Sequence, residues 1–225
     1  MRMKLRVFYL FWVCVAGQSV SGQPSLPPIP NNDYDVYSVV VNAFSACIDM
    51  RRAYQRGQLV FVTTTTAVQD KNGFRFNASE LQATINKTNG PQTTNQFQKE
   101  PGWVYFLNSV NTTQFTQYEL KQLPQFACRQ SAWWTDELQE RYFGIEKVAG
   151  KSRMKGSGYG GLRTDYKTFG GIMSFSKVAY SLDGTKAFCY HSETSDGEAG
   201  AGYVVFLEKK GTVWRVVGSA MLWIS

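Results

Sequence analysis

The sequence predicts an α+β fold in which an N-terminal helix and shorter helices pack on a curved antiparallel sheet that ends in a C-terminal β-meander. The 225 residues are 43% hydrophobic and 18% charged, which is enough apolar material for one core. Val36, Val40 and Phe44 recur at the four-residue steps of an amphipathic helix, placed at 33–52. Near the C-terminus, Asp183-Gly184 and Lys210-Gly211 are turn signals between short strand-like segments. Such tight turns join antiparallel neighbours, because parallel strands need long crossovers.

The remaining elements follow from local composition. Residues 59–68 (LVFVTTTTAV) are rich in β-branched side chains and predict a strand, and residues 103–107 predict another. Between 131 and 142, Trp134, Leu138 and Tyr142 fall on one face of a predicted helix. The meander is assigned to 172–180, 185–190, 203–208, 213–217 and 221–225, with the polar segment 191–202 (HSETSDGEAGAG) as a loop.

Residues 1–22 have the layout of a secretory signal peptide. Arg2, Lys4 and Arg6 form a basic start, an apolar stretch follows, and small residues end at Gly22, where we expect cleavage. Residues 23–32 hold four prolines and predict an extended lead-in without a role in the core. Residues 33–225 then form a single domain. The product is expected to be secreted, or periplasmic in a bacterium, with no transmembrane segment in the mature chain.

The positive charge is concentrated in one Gly-rich loop, placed at 149–171. Loss of the signal peptide removes three basic residues and lowers the net charge from +7 to +4, and this loop alone carries +4. Its aromatic rings can stack, and its cations can pair with phosphate, sulfate or acidic sugars. The predicted binding residues are Lys151, Arg153, Lys155, Tyr159, Arg163, Tyr166 and Lys167. The alternative is a solvated connection whose charges aid solubility.

Two functions of different classes are compatible with these features. The leading hypothesis is a secreted, non-catalytic binding protein that contacts an acidic glycan or an envelope partner through the basic loop. The neutral charge of the remaining chain argues against nucleic acid as a partner. The second hypothesis is a secreted hydrolase of the glycosidase type, which needs only two carboxylates. Its candidates lie beside Trp133 and Trp134 and are Asp136, Glu137 and Glu140.

Several common chemistries are excluded by residue types and spacing. His191 is the only histidine, so two-histidine ribonuclease chemistry and histidine-rich zinc sites cannot be built, and we expect a structural role for it. Gly150-Lys151-Ser152 is similar to the end of a phosphate-binding loop, but the required earlier glycine is replaced by Ile145. We therefore expect no bound nucleotide and no cofactor.

The acidic turn 193–198 is the one candidate for a metal site. Glu193, Asp196 and Glu198 could ligate calcium, but Ser192 and Thr194 stand at the first two ligand positions of the usual loop. The pattern therefore favours a solvated turn without a metal.

Cysteines and sequons add expectations about processing. Cys14 leaves with the signal peptide, and an odd number of cysteines predicts one disulfide and one buried thiol without choosing the pair. The disulfide candidates are Cys47, Cys128 and Cys189. Glycosylation sequons, relevant in a eukaryotic secretory route, begin at Asn77, Asn86 and Asn111.

The segments FSKVAYSLDGTKAFCY, GAGYVVFLEKKGTVWRVV and MLWIS carry a resemblance. They are similar to a group of uncharacterised, mostly bacterial exported proteins with the C-terminal pattern SxVGF…ALVYV…GxGY…LxKxxGxWxV…WIS. YDVYSVVVNAF and LVFVTTTT resemble that group's opening helix and first strand. The chain departs from the group at 191–199 and in its Gly-rich insertion, and the resemblance implies the fold but no activity. The predicted elements also resemble the cone-shaped fold of the nuclear-transport-factor-like superfamily, as an analogy of fold alone.

Overall fold

The described part of the chain is a mixed β-sheet with helices packed on both of its faces. The structure is a computed structural model and describes residues 26–44, 58–67, 100–110, 116–148 and 150–225. Its four helices are α1 (Asn31–Phe44), α2 (Pro101–Ser109), α3 (Asp136–Phe143) and α4 (Gly158–Asp165). Its strands are β1 (Leu59–Thr63), β2 (Gln130–Trp134), β3 (Ile145–Val148), β4 (Lys151–Met154), β5 (Phe169–Phe175), β6 (Ala179–Tyr180), β7 (Lys186–Asp196), β8 (Ala199–Lys210) and β9 (Val213–Ile224). The predicted α+β class is confirmed.

The main sheet is mixed rather than wholly antiparallel as predicted. Its order is β2-β1-β5-β7-β8-β9, with β6 added to β7, whereas β3 and β4 form a separate two-stranded sheet. β1 runs parallel to both β2 and β5, and the long connection from β1 to β2, which includes α2, provides the crossover that a parallel pair needs. β5, β7, β8 and β9 pair antiparallel, which confirms the C-terminal meander. Its turns contain Gly184 and Gly211, both with positive φ.

The polar segment 191–202 is paired strand and not the predicted loop. β7 continues to Asp196 and β8 begins at Ala199. Small residues make this pairing compatible with a large ring on β9, because a side chain at Gly202 would place its Cβ 2.1 Å from Nε1 of Trp223. That indole nitrogen donates to the Tyr190 hydroxyl at 2.9 Å. Tertiary packing, rather than the local polarity of the segment, therefore decides its conformation.

The segment predicted as a strand at 103–107 lies in helix α2. Pro101 stands in the first turn, where its fixed φ favours a helix and its missing N–H costs nothing. Trp103, Phe106 and Leu107 are buried, at the spacing of one helical face. Trp103 also donates from Nε1 to Glu208 on β8 at 2.7 Å.

The predicted helix at 131–142 is divided into a strand and a shorter helix. Residues 130–134 pair with β1 as β2, and α3 begins at Asp136. Between them, Thr135 is the N-cap, and its hydroxyl accepts a hydrogen bond from the backbone N–H of Leu138. Pairing with β1 and the cap at Thr135 therefore decide the conformation of this segment, although its apolar side chains are spaced as in a helix.

The N-terminal part of the domain differs from its prediction in the lead-in. α1 covers 31–44, and the rest of the predicted helix, 45–52, lies outside the described residues. The lead-in takes part in the core, because Ile29 is buried and Pro28 bridges to Glu119. The predicted signal peptide, 1–22, also lies outside the described residues. None of the helices in the described ranges has the length and apolar character that crossing a bilayer requires.

Three apolar clusters hold the helices to the sheet. The largest joins α1 to one sheet face and includes Tyr37, Val40 and Cys189. On the opposite face, α2 packs on a second cluster around Phe188 and Phe206. The third lies beneath α3 and α4 and contains Phe61, Trp134, Tyr142, Leu162 and Phe169. Each helix is therefore fixed by buried side chains, which dominate the stability of short helices.

A buried carboxylate ties the start of α1 to the sheet. Asp33 is fully buried and accepts hydrogen bonds from the Val178 N–H at 3.1 Å and the Tyr180 hydroxyl at 3.0 Å. Burial raises the pKa of Asp33 to about 6, although these hydrogen bonds act in the opposite direction. Tyr37, one turn later, donates from its hydroxyl to the Ser176 carbonyl at 2.7 Å.

We expect Gly202→Ala to destabilise the domain by about 1–3 kcal/mol, because the new methyl group displaces Trp223 from the backbone of β8. The matched control is Gly197→Ala, where an added Cβ meets no atom within 4 Å. Urea unfolding measures the free energy of both variants. Equal stability of the two would contradict this account of the glycine.

Candidate functional site

The segment 149–171, predicted as a Gly-rich basic loop, is folded. Its first part belongs to the hairpin of β3 and β4, the next part is α4, and its last residues begin β5. Ala149 lies outside the described residues. Lys151 opens strand β4 rather than a helix, so the helix N-terminus that a phosphate-binding loop requires does not follow Gly150-Lys151-Ser152.

The hairpin arranges three cations in a row. Val148 pairs with Lys151 and Glu146 with Arg153, and Gly150 makes the turn with a φ of +78°. Because alternate residues of a strand share a face, Lys151 and Arg153 lie on one side, roughly 7 Å apart. Lys155 is the next alternate residue after β4. We call Lys151, Arg153 and Lys155 the basic row.

The basic row is exposed and largely without counter-charges. All residues of β3 and β4 are exposed. Among the described residues, Lys151 and Arg153 form no ion pair, and Lys155 lies 3.8 Å from Glu140 with both side chains more than 60% exposed. Such an exposed pair contributes little attraction. The row therefore presents most of its charge to solvent.

Close backbone contacts fix the base of the hairpin to α3. The Lys155 N–H donates to the Gly144 carbonyl at 2.7 Å. A Cβ at Gly156 would lie 2.1 Å from the carbonyl oxygen of Tyr142, so only glycine fits there. Tyr142 is itself buried in the third cluster. The hairpin is thus anchored in the core, while its strands lie in solvent.

The other predicted binding residues are separated from the basic row. The rings of Tyr159 and Tyr166 pack against the third cluster, with Phe143 4.9 Å from Tyr159 and Phe61 5.0 Å from Tyr166 between ring centroids. Both tyrosines are half-buried and contribute to the packing beneath α4, and their stacking on a ligand stays a prediction. The structure brings together only the three residues of the basic row.

The two remaining predicted cations, Arg163 and Lys167, lie outside the hairpin. Arg163 on α4 donates to Asp196 at 2.7 Å and to the Ser195 carbonyl at 2.9 Å, which ties α4 to the β7–β8 turn. Lys167 is exposed between α4 and β5. Arg163 is therefore compensated within the protein.

The carboxylates of the hydrolase hypothesis lie on an open surface. Asp136, Glu137 and Glu140 are exposed on α3, and the first two stand in its first turn, where negative charge favours a helix. Trp134 is buried and donates from Nε1 to Gln139 at 2.9 Å. These residues form a helix start and its packing rather than a cleft with paired acids.

Two of the three acidic side chains considered for calcium are paired with arginines. Arg129 makes two hydrogen bonds to Glu193, at 2.8 and 3.2 Å, and Arg163 compensates Asp196. In the described ranges, no group of three or more His, Cys, Asp or Glu side chains is arranged to hold a metal ion.

The single histidine lies in the middle of the sheet. His191 is 2% exposed, and its ring stacks on Phe175 on one side and Tyr203 on the other, at centroid distances of 5.5 and 6.4 Å. Burial, together with the positive charge of Arg129, lowers the pKa of His191 to about 4. The imidazole is therefore neutral at pH 7.

The predictions of glycosylation and of a disulfide fall mainly on residues that the structure does not describe. Asn77, Asn86 and Asn111 lie outside the described residues, as does Cys47. Cys189 is a buried free thiol, and burial raises the pKa of its side chain. This removes Cys189 from the predicted disulfide.

Sequence reasoning overlooked the signal for the hairpin. Residues 151–155 read Lys-Ser-Arg-Met-Lys, and a cation at every second position is the period of a strand. Glycines nearby suggested a loop, but Gly150 supplies the turn and Gly156 the close contact at the base. The alternation was visible in the sequence and predicts the row.

Asp33 and His191 are expected to give the stability opposite dependences on pH. Because the pKa of Asp33 is raised in the folded state, the free energy of unfolding increases as the pH falls from about 6 to about 4. Because the pKa of His191 is lowered in the folded state, the free energy of unfolding decreases as the pH falls from about 6.5 to about 4. Each shift corresponds to about 3 kcal/mol. In Asp33→Asn the stability should therefore rise with pH across this window, and in His191→Phe it should fall. Denaturant unfolding from pH 4 to 7 measures the slope of the free energy of unfolding against pH in both variants. Slopes of the same sign would show that Asp33 and His191 do not act in opposite directions.

We expect the disulfide to join Cys47 and Cys128. Asn42 in the last turns of α1 bonds to the Gln125 carbonyl at 2.9 Å and to the Ala127 N–H at 2.7 Å, so the chain before Cys128 lies beside α1. Peptide mapping without reduction should give one linked pair and a free Cys189. Any linked peptide that contains Cys189 would contradict the expectation.

The resemblance of the C-terminal third to exported bacterial proteins stays a prediction, because no protein-family model, no curated protein and no solved structure matches the chain.

Proposed function

We propose that the protein is an exported, non-catalytic binding protein that holds an acidic glycan on the basic row of its β3–β4 hairpin. The observation that carries the proposal is the row itself: Lys151, Arg153 and Lys155 follow one another at alternate positions on an exposed hairpin. Regularly spaced cations complement a polymer with regularly spaced carboxylate or sulfate groups.

The surroundings of the row favour attraction of a polyanion. Glu146 is the only acid on the hairpin, and it lies across from Arg153 in the strand register. Residues paired across the hairpin share a face, so Glu146 offsets part of the charge of Arg153, whereas Lys147 lies on the other face with Ser152. Glu140 near Lys155 is itself solvated, and three cations against these two exposed acids leave the row with an excess of positive charge.

The hairpin's anchoring supports binding without large rearrangement. Its base is fixed at Gly144 and Gly156 against the core residue Tyr142. A surface that is already ordered loses less conformational entropy when a ligand binds. The carboxylates on α3 are exposed, which favours this function over a glycosidase, because the acid of a glycosidase requires a shielded environment.

Export is part of the same proposal. The basic start, the apolar stretch and the small residues before Gln23 support removal of 1–22 on a secretory route. Acidic polysaccharides are partners that an exported protein meets outside the cytoplasm. The resemblance of the C-terminal third to exported proteins is in keeping with this route.

The triple variant Lys151→Gln, Arg153→Gln, Lys155→Gln tests the function. On an immobilised heparin column, we expect it to elute at markedly lower salt than the native protein. The reason is that its binding displaces fewer counterions from the heparin when three cations are missing. The slope of log K against log salt should fall in magnitude by about 2 to 3.

The matched control removes three exposed cations elsewhere, as Lys121→Gln, Lys210→Gln, Arg215→Gln. It changes the net charge equally and should elute close to the native protein. Equal shifts of the two triple variants would indicate nonspecific charge attraction and would reject the proposal, as would unchanged elution of the hairpin variant.

A further inference from the structure

A second concave site lies on the α1 face of the sheet, away from the hairpin. It is a pocket of about 440 Å³, within the size range of small-molecule sites. The end of α1 at Phe44 forms one wall, and the β7–β8 turn forms another. His191, Tyr203 and the terminal part of β9 complete the lining.

The apolar part of the lining consists of aromatic rings in fixed contact. His191 pairs with Phe175 on β5 and with Tyr203 on β8, so the three rings form a row across three strands. Phe44 closes this row from above, 5.4 Å from His191 and 5.1 Å from Tyr203 between ring centroids. The faces of such rings attract cations.

The polar part of the lining is acidic. Glu193 and Glu198 line the pocket, whereas no lysine or arginine of the described residues does. Arg129 compensates Glu193 from outside the lining. Glu198 is exposed and forms no ion pair among the described residues, so the described part of the lining carries an excess of negative charge.

An unsatisfied buried atom is found in the same lining. Nδ1 of His191 is inaccessible to solvent and has no hydrogen-bond partner in the part of the chain that the structure describes. A buried polar atom without a partner is costly, and most such atoms in folded proteins are paired. Because this atom is inaccessible, a ligand in the pocket contacts the imidazole through its ring rather than through Nδ1.

We propose that this pocket binds a small organic ammonium ion. Its charge lies between the carboxylates of Glu193 and Glu198, and its apolar part contacts the rings of Phe44 and Tyr203. The imidazole of His191 lies in the lining beside these rings and therefore reports whether the site is occupied. The site is independent of the hairpin, which attracts the opposite charge.

The probe is benzylammonium, compared with benzyl alcohol as its uncharged analogue, on the full protein at pH 7. Because His191 is the only histidine, its two ring nitrogens give a single pair of signals in a ¹⁵N–¹H NMR spectrum. We expect benzylammonium to shift at least one of these imidazole signals with a dissociation constant of roughly 1 mM or below, and benzyl alcohol to bind at least about tenfold more weakly.

Charge variants distinguish the site from general attraction. Glu198→Gln should weaken benzylammonium binding about threefold, since an exposed charge contributes less than 1 kcal/mol. Glu146→Gln on the hairpin is the matched control and should leave the binding unchanged. Equal binding of the alcohol and the ammonium ion, equal effects of the two variants, or an imidazole signal that moves with neither probe would each overturn the proposal.

Discussion

Strand β7 is buried on both faces, and the rest of the fold depends on this. All six residues from Ala187 to Ser192 are buried, so each must pack or form hydrogen bonds on its own side of the sheet. Cys189 contributes to the cluster beneath α1, and Phe188 contributes to the cluster beneath α2. One strand thus connects the two layers of helices. A polar residue on it, such as His191, is almost fully buried, and this burial favours its uncharged state.

The polar groups that the core contains explain how α1 is positioned. A buried carboxylate is destabilising unless donors surround it, and Asp33 receives a backbone N–H and a hydroxyl from the segment between β5 and β7. Tyr37 bonds to the same segment from the next turn of the helix. These contacts specify where the helix begins, whereas its apolar face alone would allow it to slide along the sheet. The buried carboxylate thus fixes the position of the helix, but its charged form lowers the free energy of unfolding at neutral pH.

The sequence predicts this structure best where the signals are local. Asp183-Gly184 and Lys210-Gly211 locate turns of the meander, because a positive φ at glycine is a property of the turn itself. The polarity of 191–202 fails as a predictor, since Glu193 is compensated by an arginine more than 60 residues away. At the candidate site, the alternating cations were predictable. The core positions of Tyr159 and Tyr166 were not, because they depend on β1 and α3.

The two proposed binding surfaces meet only at a weak ion pair. Arg163 follows the hairpin on α4, and its partner Asp196 lies in the turn whose neighbours line the ammonium pocket. Both side chains are about half exposed, so this pair contributes at most about 1 kcal/mol, and salt reduces it. The hairpin is fixed instead through Tyr142, and the pocket through the aromatic row on the α1 face. Because these anchors belong to separate clusters on opposite faces of the sheet, occupation of one surface has no strong physical means of changing the other.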